Sequence, residues 1–129
     1  MFLLDTSALL AHCFGEPGGE VVEEILSAGS GYVAAITWFE LRVRLRDSPL
    51  ASAVEEIYAA SVAGTVDISR DVAETAYALR ERVGVRIPAA DCLIAGAARQ
   101  RGYTLVHRDA HLMNIPGHQL AQRILPAKA

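Results

Sequence analysis

The chain has 129 residues, 52% of them hydrophobic, with a mean hydropathy of +0.25 and a formal net charge of −3. That length fits one domain, residues 1–129, with a buried core, and that apolar content excludes a disordered chain. No uninterrupted apolar stretch approaches the ~20 residues of a membrane span, and Asp5 interrupts the short N-terminal apolar run, so the chain reads as a soluble, cytoplasmic protein without a secretion signal.

Met1 to Leu4 is a short apolar run that predicts a buried strand, followed by a helix from Ser7 to His12 with Thr6 or Ser7 as its cap. Gly15-Glu16-Pro17-Gly18-Gly19 ends that helix. A second helix follows, with Val21, Val22, Ile25 and Leu26 on one side and Glu23 and Glu24 on the other. Tyr32 to Ile36 predicts a second strand. Thr37 and Glu40 then make the Thr-x-x-Glu pattern of a capping box, which places a helix start at Thr37. Pro49 opens a helix over 51–63, Thr65 to Ile68 is a brief strand, and Ser69 caps a long amphipathic helix. Pro88 starts a helix of small apolar residues that ends near Gly102. Tyr103 to Val106 and Leu120 to Leu125 predict the last two strands. Strands alternating with helices, mostly as continuous apolar runs, predict an α/β fold with a mostly parallel sheet covered on both faces.

Four carboxylates break these runs. Asp5 and Asp109 fall at or just after predicted strand ends, while Glu40 and Asp91 fall in first turns of predicted helices. Each has an ordinary explanation as a cap or a first-turn acid. In a parallel sheet, however, the carboxyl ends of the strands form one rim where ligands gather, and four separate caps have no reason to border it together. Carboxylates clustered there would repel one another unless a hard cation compensates them, and an oxygen-only donor set suits Mg²⁺ or Mn²⁺. Such ions activate water and polarise phosphoryl oxygens, which is the chemistry of phosphodiester hydrolysis.

The remaining polar residues leave more open. The two cysteines, Cys13 and Cys92, have neither metal-ligand nor disulfide-framework spacing. Lys128 is the only lysine, so the cationic side chains are almost all arginine, the type that grips phosphate in a bidentate way. Arg42, Arg44 and Arg46 follow Glu40 on its helix. Arg44, four residues on, can pair with Glu40, while Arg42 and Arg46 form a neighbouring row that is either a solvated face or a phosphate-gripping edge, with Arg108 opposite. His107 is a candidate donor to Asp109, a candidate contact to a scissile phosphate, or a satisfied polar group at a strand end, and His12, His111 and His118 read as surface or packing residues.

Leu4-Asp5-Thr6-Ser7-Ala8-Leu9, Glu40 in a helix, Asp91-Cys92-Leu93-Ile94-Ala95-Gly96, and Leu105-Val106-His107-Arg108-Asp109 together resemble the PIN domain, in that order and over essentially the whole chain. The single-domain length and Gly15-Glu16-Pro17 resemble the VapC toxins within it. The resemblance implies an α/β/α sandwich and a Mg²⁺- or Mn²⁺-dependent endoribonuclease that leaves 5′-phosphate and 3′-hydroxyl ends. It also implies a homodimer and a cognate antitoxin that blocks the acidic pocket. Asp5, Glu40, Asp91 and Asp109 carry over as metal-site acids, and Thr6 or Ser7 as a positioning hydroxyl. Many such relatives have Ser, Thr or Asn where His107 stands, and a further acid and an aromatic where this chain has His111 and Leu112. A PIN-like domain that binds RNA or a partner without cutting it is the alternative. A receiver-like module would need a lysine near the pocket, and an aspartate-nucleophile phosphatase would need an acid where Ser7 stands.

Overall fold

The computed structural model describes residues 1–128, and its sheet is built from the apolar runs of the sequence. Strands β1 (Phe2–Leu4), β2 (Gly31–Ala34), β3 (Gly64–Val66), β4 (Thr104–His107) and β5 (Gln122–Ile124) lie in the order β3-β2-β1-β4-β5, every pairing parallel. The helices are α1 (Thr6–Cys13), α2 (Gly19–Ser27), α3 (Ala35–Arg44), α4 (Ala51–Ser61), α5 (Arg70–Arg82) and α6 (Ala89–Arg101). A short 3₁₀ turn, Leu112–Asn114, precedes β5. Among the described residues no helix is long and apolar enough to cross a membrane.

Successive strand residues point to opposite faces, and this alternation divides the core in two. Leu3, Ala34 and Leu105 pack with Val72, Ala76 and Leu79 of α5 and Ile94 and Ala98 of α6. Leu4, Val33 and Val106 pack with Leu9 of α1, Val22 of α2, Leu41 of α3 and Tyr58 of α4. The result is a three-layer α/β/α sandwich in which the central strands are apolar on both sides. Leu3, Leu4, Leu9 and Leu105 are fully buried, each contributing about 1.5–3 kcal/mol of transfer free energy. Gly96 lets α6 lie close against α5, because a Cβ there would stand 2.8–2.9 Å from the Cβ, Cα and N of Ala76.

The order of the strands positions the site. From β1 the chain moves outward through β2 and β3, then returns to add β4 and β5 on the other side, so the direction of winding reverses between β1 and β4. In parallel sheets such a reversal leaves a crevice at the carboxyl ends of the two strands.

Three predicted boundaries move. Asp5, not Thr6 or Ser7, is the N-cap of α1, with extended backbone and a carboxylate that accepts from the Ser7 N–H. The helix α3 begins at Ala35, directly from β2, with Ala34 as its cap, so Thr37 lies inside the first turn and is fully buried. Glu40 is therefore the sixth helical residue and makes no capping box. Pro49 lies ahead of the helix rather than in it, since Leu50 is the cap of α4. The cap at Ser69 is as expected, its hydroxyl accepting from the Val72 N–H.

Candidate metal centre

Asp5 follows β1 and is held by three hydrogen bonds. Its own N–H continues the ladder to Val106 O at 3.0 Å, while the Ser7 N–H and the Ser7 hydroxyl both donate to Asp5 Oδ2, at 3.1 and 2.5 Å. Ser7 Oγ in turn accepts from the Arg108 N–H at 3.1 Å, which ties the ends of β1 and β4 together across the crevice. Thr6 donates from Oγ1 to Glu40 Oε1 at 2.7 Å and so fixes the α3 carboxylate to the start of α1. Asp91 is the third residue of α6, whose N-terminus reaches the same rim because the helix runs back along the sheet to feed β4. Asp109 lies two residues beyond β4 and accepts through Oδ1 from the His111 N–H at 2.8 Å and the Leu112 N–H at 3.1 Å. Asp5, Thr6, Ser7, Glu40, Val43, Arg44, Asp91 and Asp109 line one cavity of about 190 Å³.

Burial pushes the Asp5 carboxyl above its ordinary range; the two hydrogen bonds from Ser7 oppose this, and the charges of Asp109 and Glu40 add to it. Asp91 is pushed up to about 7, first by burial and then by Asp109, Asp5 and Glu40, with His111 pulling it down. Among the described residues no hydrogen bond reaches the Asp91 side chain, unlike those of Asp5, Glu40 and Asp109. A set of carboxylates facing one cavity, two of them resisting ionisation, is costly with protein groups alone. The donor set fits a divalent cation that prefers oxygen ligands.

Of the basic residues expected at the pocket, several lie elsewhere. Arg42 points to α4, where its Nε and Nη2 donate to Glu55 Oε2 at 3.1 and 2.6 Å, and Arg46 reaches only the Val43 carbonyl. Neither lines the cavity. Arg44 does, because positions four apart share a helix face and Arg44 lies one turn beyond Glu40; the two are not within ion-pair distance. Arg108 turns away from the cavity and pairs through Nη2 with Glu16 Oε1 at 2.6 Å, a largely buried bridge that Lys128 extends to Glu16 Oε2 at 3.4 Å. Arg108 holds the Glu16 carboxyl below its usual range. Only the backbone N–H of Arg108 serves the site.

His107 is fully buried. Its Nδ1 accepts from the Asp109 N–H at 3.1 Å, so its Nε2 carries the proton that meets Gln122 Oε1 at 2.8 Å. Both ring nitrogens are committed, and the Nδ1 contact ties the ring to the backbone of Asp109. His111, expected at the surface, is half exposed but stands at the rim of the site. Its Nδ1 is 3.7 Å from Asp91 Oδ2 and 3.6 Å from Asp109 Oδ1. One donor atom from each of Asp91, Asp109 and His111 lies within 4.8 Å of the others. The signal in the sequence was the spacing Asp109-x-His111, which puts both side chains on one tight turn.

The PIN domain family matches residues 2–117. The chain belongs to the PIN domain family. No curated protein gives a significant sequence match. Among solved structures, a chain of the VapBC2 complex from Rickettsia felis, bound to a DNA fragment from its promoter, is similar over 97% of this chain and 98% of that one, with a TM-score of 0.78 and 20% identity. A chain of the DNA-bound VapBC of Salmonella typhimurium has a TM-score of 0.77 and 22% identity, covering 95% of this chain and 96% of that one. VapC20 of Mycobacterium tuberculosis, a sarcin-ricin loop cleaving toxin, has a TM-score of 0.66 and 15% identity, over 88% and 93% of the two chains. In this PIN domain the sandwich expected from the sequence is present, with five parallel strands and helices on both faces.

Proposed function

We propose that this PIN domain is a divalent-metal-dependent endoribonuclease and the toxin of a type II toxin–antitoxin pair. The observation that carries the reading is the convergence of Asp5, Glu40, Asp91 and Asp109, from four distant segments, on one cavity at the switch point of the sheet. Asp5, Asp91 and Asp109 would hold Mg²⁺ or Mn²⁺, with Glu40 as a further ligand or as the base. A divalent cation bound there supplies positive charge to a phosphoryl group and makes water easier to deprotonate.

The chain's own groups do the rest. Ser7 opposes the effect of burial on Asp5 by donating two hydrogen bonds to Oδ2, which leaves Oδ1 without a hydrogen-bond partner among the described residues. Thr6 occupies Glu40 Oε1, so Glu40 Oε2 is the atom that takes a proton from water attacking the phosphorus. The bond to phosphorus forms from water oxygen, the P–O3′ bond breaks, and O3′ leaves with a proton from solvent, giving 5′-phosphate and 3′-hydroxyl ends. Arg44, at the cavity edge and without an ion-pair partner among the described residues, grips a flanking phosphate.

Several fold neighbours come from VapBC complexes, which supports an antitoxin partner; an antitoxin that covers the pocket and a homodimer in the cytoplasm complete the proposal. The test is incubation of purified protein with structured RNAs and Mg²⁺ or Mn²⁺, beside Asp5→Asn and Asp91→Asn variants. Cleavage that stops in both variants and in excess EDTA is expected. Cleavage that persists in either condition sinks the mechanism, and RNA binding without cleavage by the wild type favours the non-nuclease alternative.

A further inference from the structure

His111 is the residue at this site that the acid pattern does not explain. Its ring is half exposed and turned so that Nδ1, not Nε2, faces Asp91 and Asp109. The separations of 3.7 and 3.6 Å are too long for hydrogen bonds to either carboxylate. They lie instead at the upper end of the spacing of two donors sharing one ion, and for Asp91 slightly beyond it, since ligands each ~2.1 Å from a cation lie roughly 3.0–3.6 Å apart for angles between about 90° and 120°. Asp109 is prepared for this as well. Two backbone N–H groups hold Oδ1, the oxygen at 3.6 Å from Nδ1, and so fix the carboxylate plane beside the imidazole; the second oxygen, Oδ2, has no hydrogen-bond partner among the described residues. His107 and His12 are not available to the cavity: both nitrogens of His107 are occupied, and His12 is bonded to Tyr58 and Glu23.

We propose that His111 Nδ1 is a metal ligand, forming with Asp91 and Asp109 a mixed nitrogen–oxygen subsite that takes a transition-metal dication in preference to Mg²⁺. The inference rests on the reading that the acidic cavity holds a divalent cation, and it adds which ion. Imidazole nitrogen favours first-row transition metals, whereas Mg²⁺ favours carboxylate, carbonyl and water. A side chain with an acid in place of His111 would offer oxygen only, so this one residue sets the preference.

The experiment uses Mn²⁺ as the probe. Electron spin-echo modulation of Mn²⁺-loaded wild-type protein should show ¹⁴N coupling from a directly bound imidazole. The coupling should vanish in His111→Ala and His111→Asp, both at an exposed position where folding is not at risk. Calorimetric titration with Mn²⁺ and with Mg²⁺ should give a Mn²⁺ preference in the wild type that falls by about tenfold in His111→Asp, which restores an oxygen donor. Mn²⁺ that binds, is weakened by Asp91→Asn and shows no ¹⁴N coupling overturns the inference and leaves the metal reading standing; His111 would then be only a countercharge. Absence of any Mn²⁺ binding that depends on Asp5 or Asp91 overturns both.

Discussion

Replacing Asp91 by asparagine should stabilise the metal-free protein at neutral and alkaline pH. In the wild type the Asp91 carboxyl is pushed from 3.8 up to about 7, by burial first and by Asp109, Asp5 and Glu40 next. An acid whose pKa is higher in the folded state binds more protons folded than unfolded. Stability is therefore lost as pH rises from about 4 to about 7, and the full loss stands above that window. A rise of this size corresponds to about 4 kcal/mol. Solvent entering the open cavity screens the interaction, and half of that figure, about 2 kcal/mol, is the expected effect. Asparagine keeps the shape without the charge, so Asp91→Asn should raise Tm by roughly 6–8 °C at pH 8 in EDTA. Below about pH 4 the two proteins should melt together, because Asp91 is then protonated in both states. Saturating Mn²⁺ should reverse the order at pH 8, since an ion that binds only the folded wild type stabilises it by mass action. Thermal melts at both pH values, with EDTA and with Mn²⁺, make the comparison. An Asp91→Asn protein that melts at or below the wild-type temperature at pH 8 in EDTA would refute the claim that this cluster is strained by uncompensated charge.

Other consequences follow from individual contacts. Arg44→Ala should weaken RNA binding and reduce the slope of log K against log salt by about one, while Arg42→Ala, whose side chain is already paired with Glu55, should leave the slope unchanged. His107→Phe should lower Tm, because the Asp109 N–H and Gln122 Oε1 lose their partner at about 1–3 kcal/mol for each group left unsatisfied. Gly96→Ala should destabilise by about 1–3 kcal/mol in denaturant melts, since the backbone of Ala76 must move to admit the methyl group. Metal binding in the Gly96→Ala protein should be unchanged at low temperature, where it is folded.

What could be seen in the sequence was whatever local chemistry decides. Asp5 and Asp109 were visible because an acid ends an apolar run that can only be a central strand, and Asp91 because it follows Pro88 at a helix start. The start of α3 was hidden because Ala34-Ala35-Ile36 suits strand and helix equally, so Thr37 looked like a cap, whereas β2 runs into the helix without a loop. The partners of the arginines were hidden for a different reason. Arg108 is drawn to Glu16, 92 positions away, and Arg42 to Glu55 on the next helix, and such pairings exist only once the layers have packed. Arg44 was within reach of the helix period, and its spacing from Glu40 predicted a pairing where the structure has a shared cavity wall. The sequence suggests a surface or packing residue at His111, and the ring is exposed, but its direction is set by the turn that Asp109 caps.

The central claim is that the four carboxylates are held together to bind a divalent cation. Anomalous diffraction from crystals soaked in Mn²⁺, recorded near the manganese edge, tests it most directly. A peak inside the cavity, within bonding distance of Asp5, Asp91 and Asp109 and absent from Asp5→Asn crystals, is the predicted result. A map with no peak there at saturating Mn²⁺, or with manganese only outside the cavity, would contradict the account.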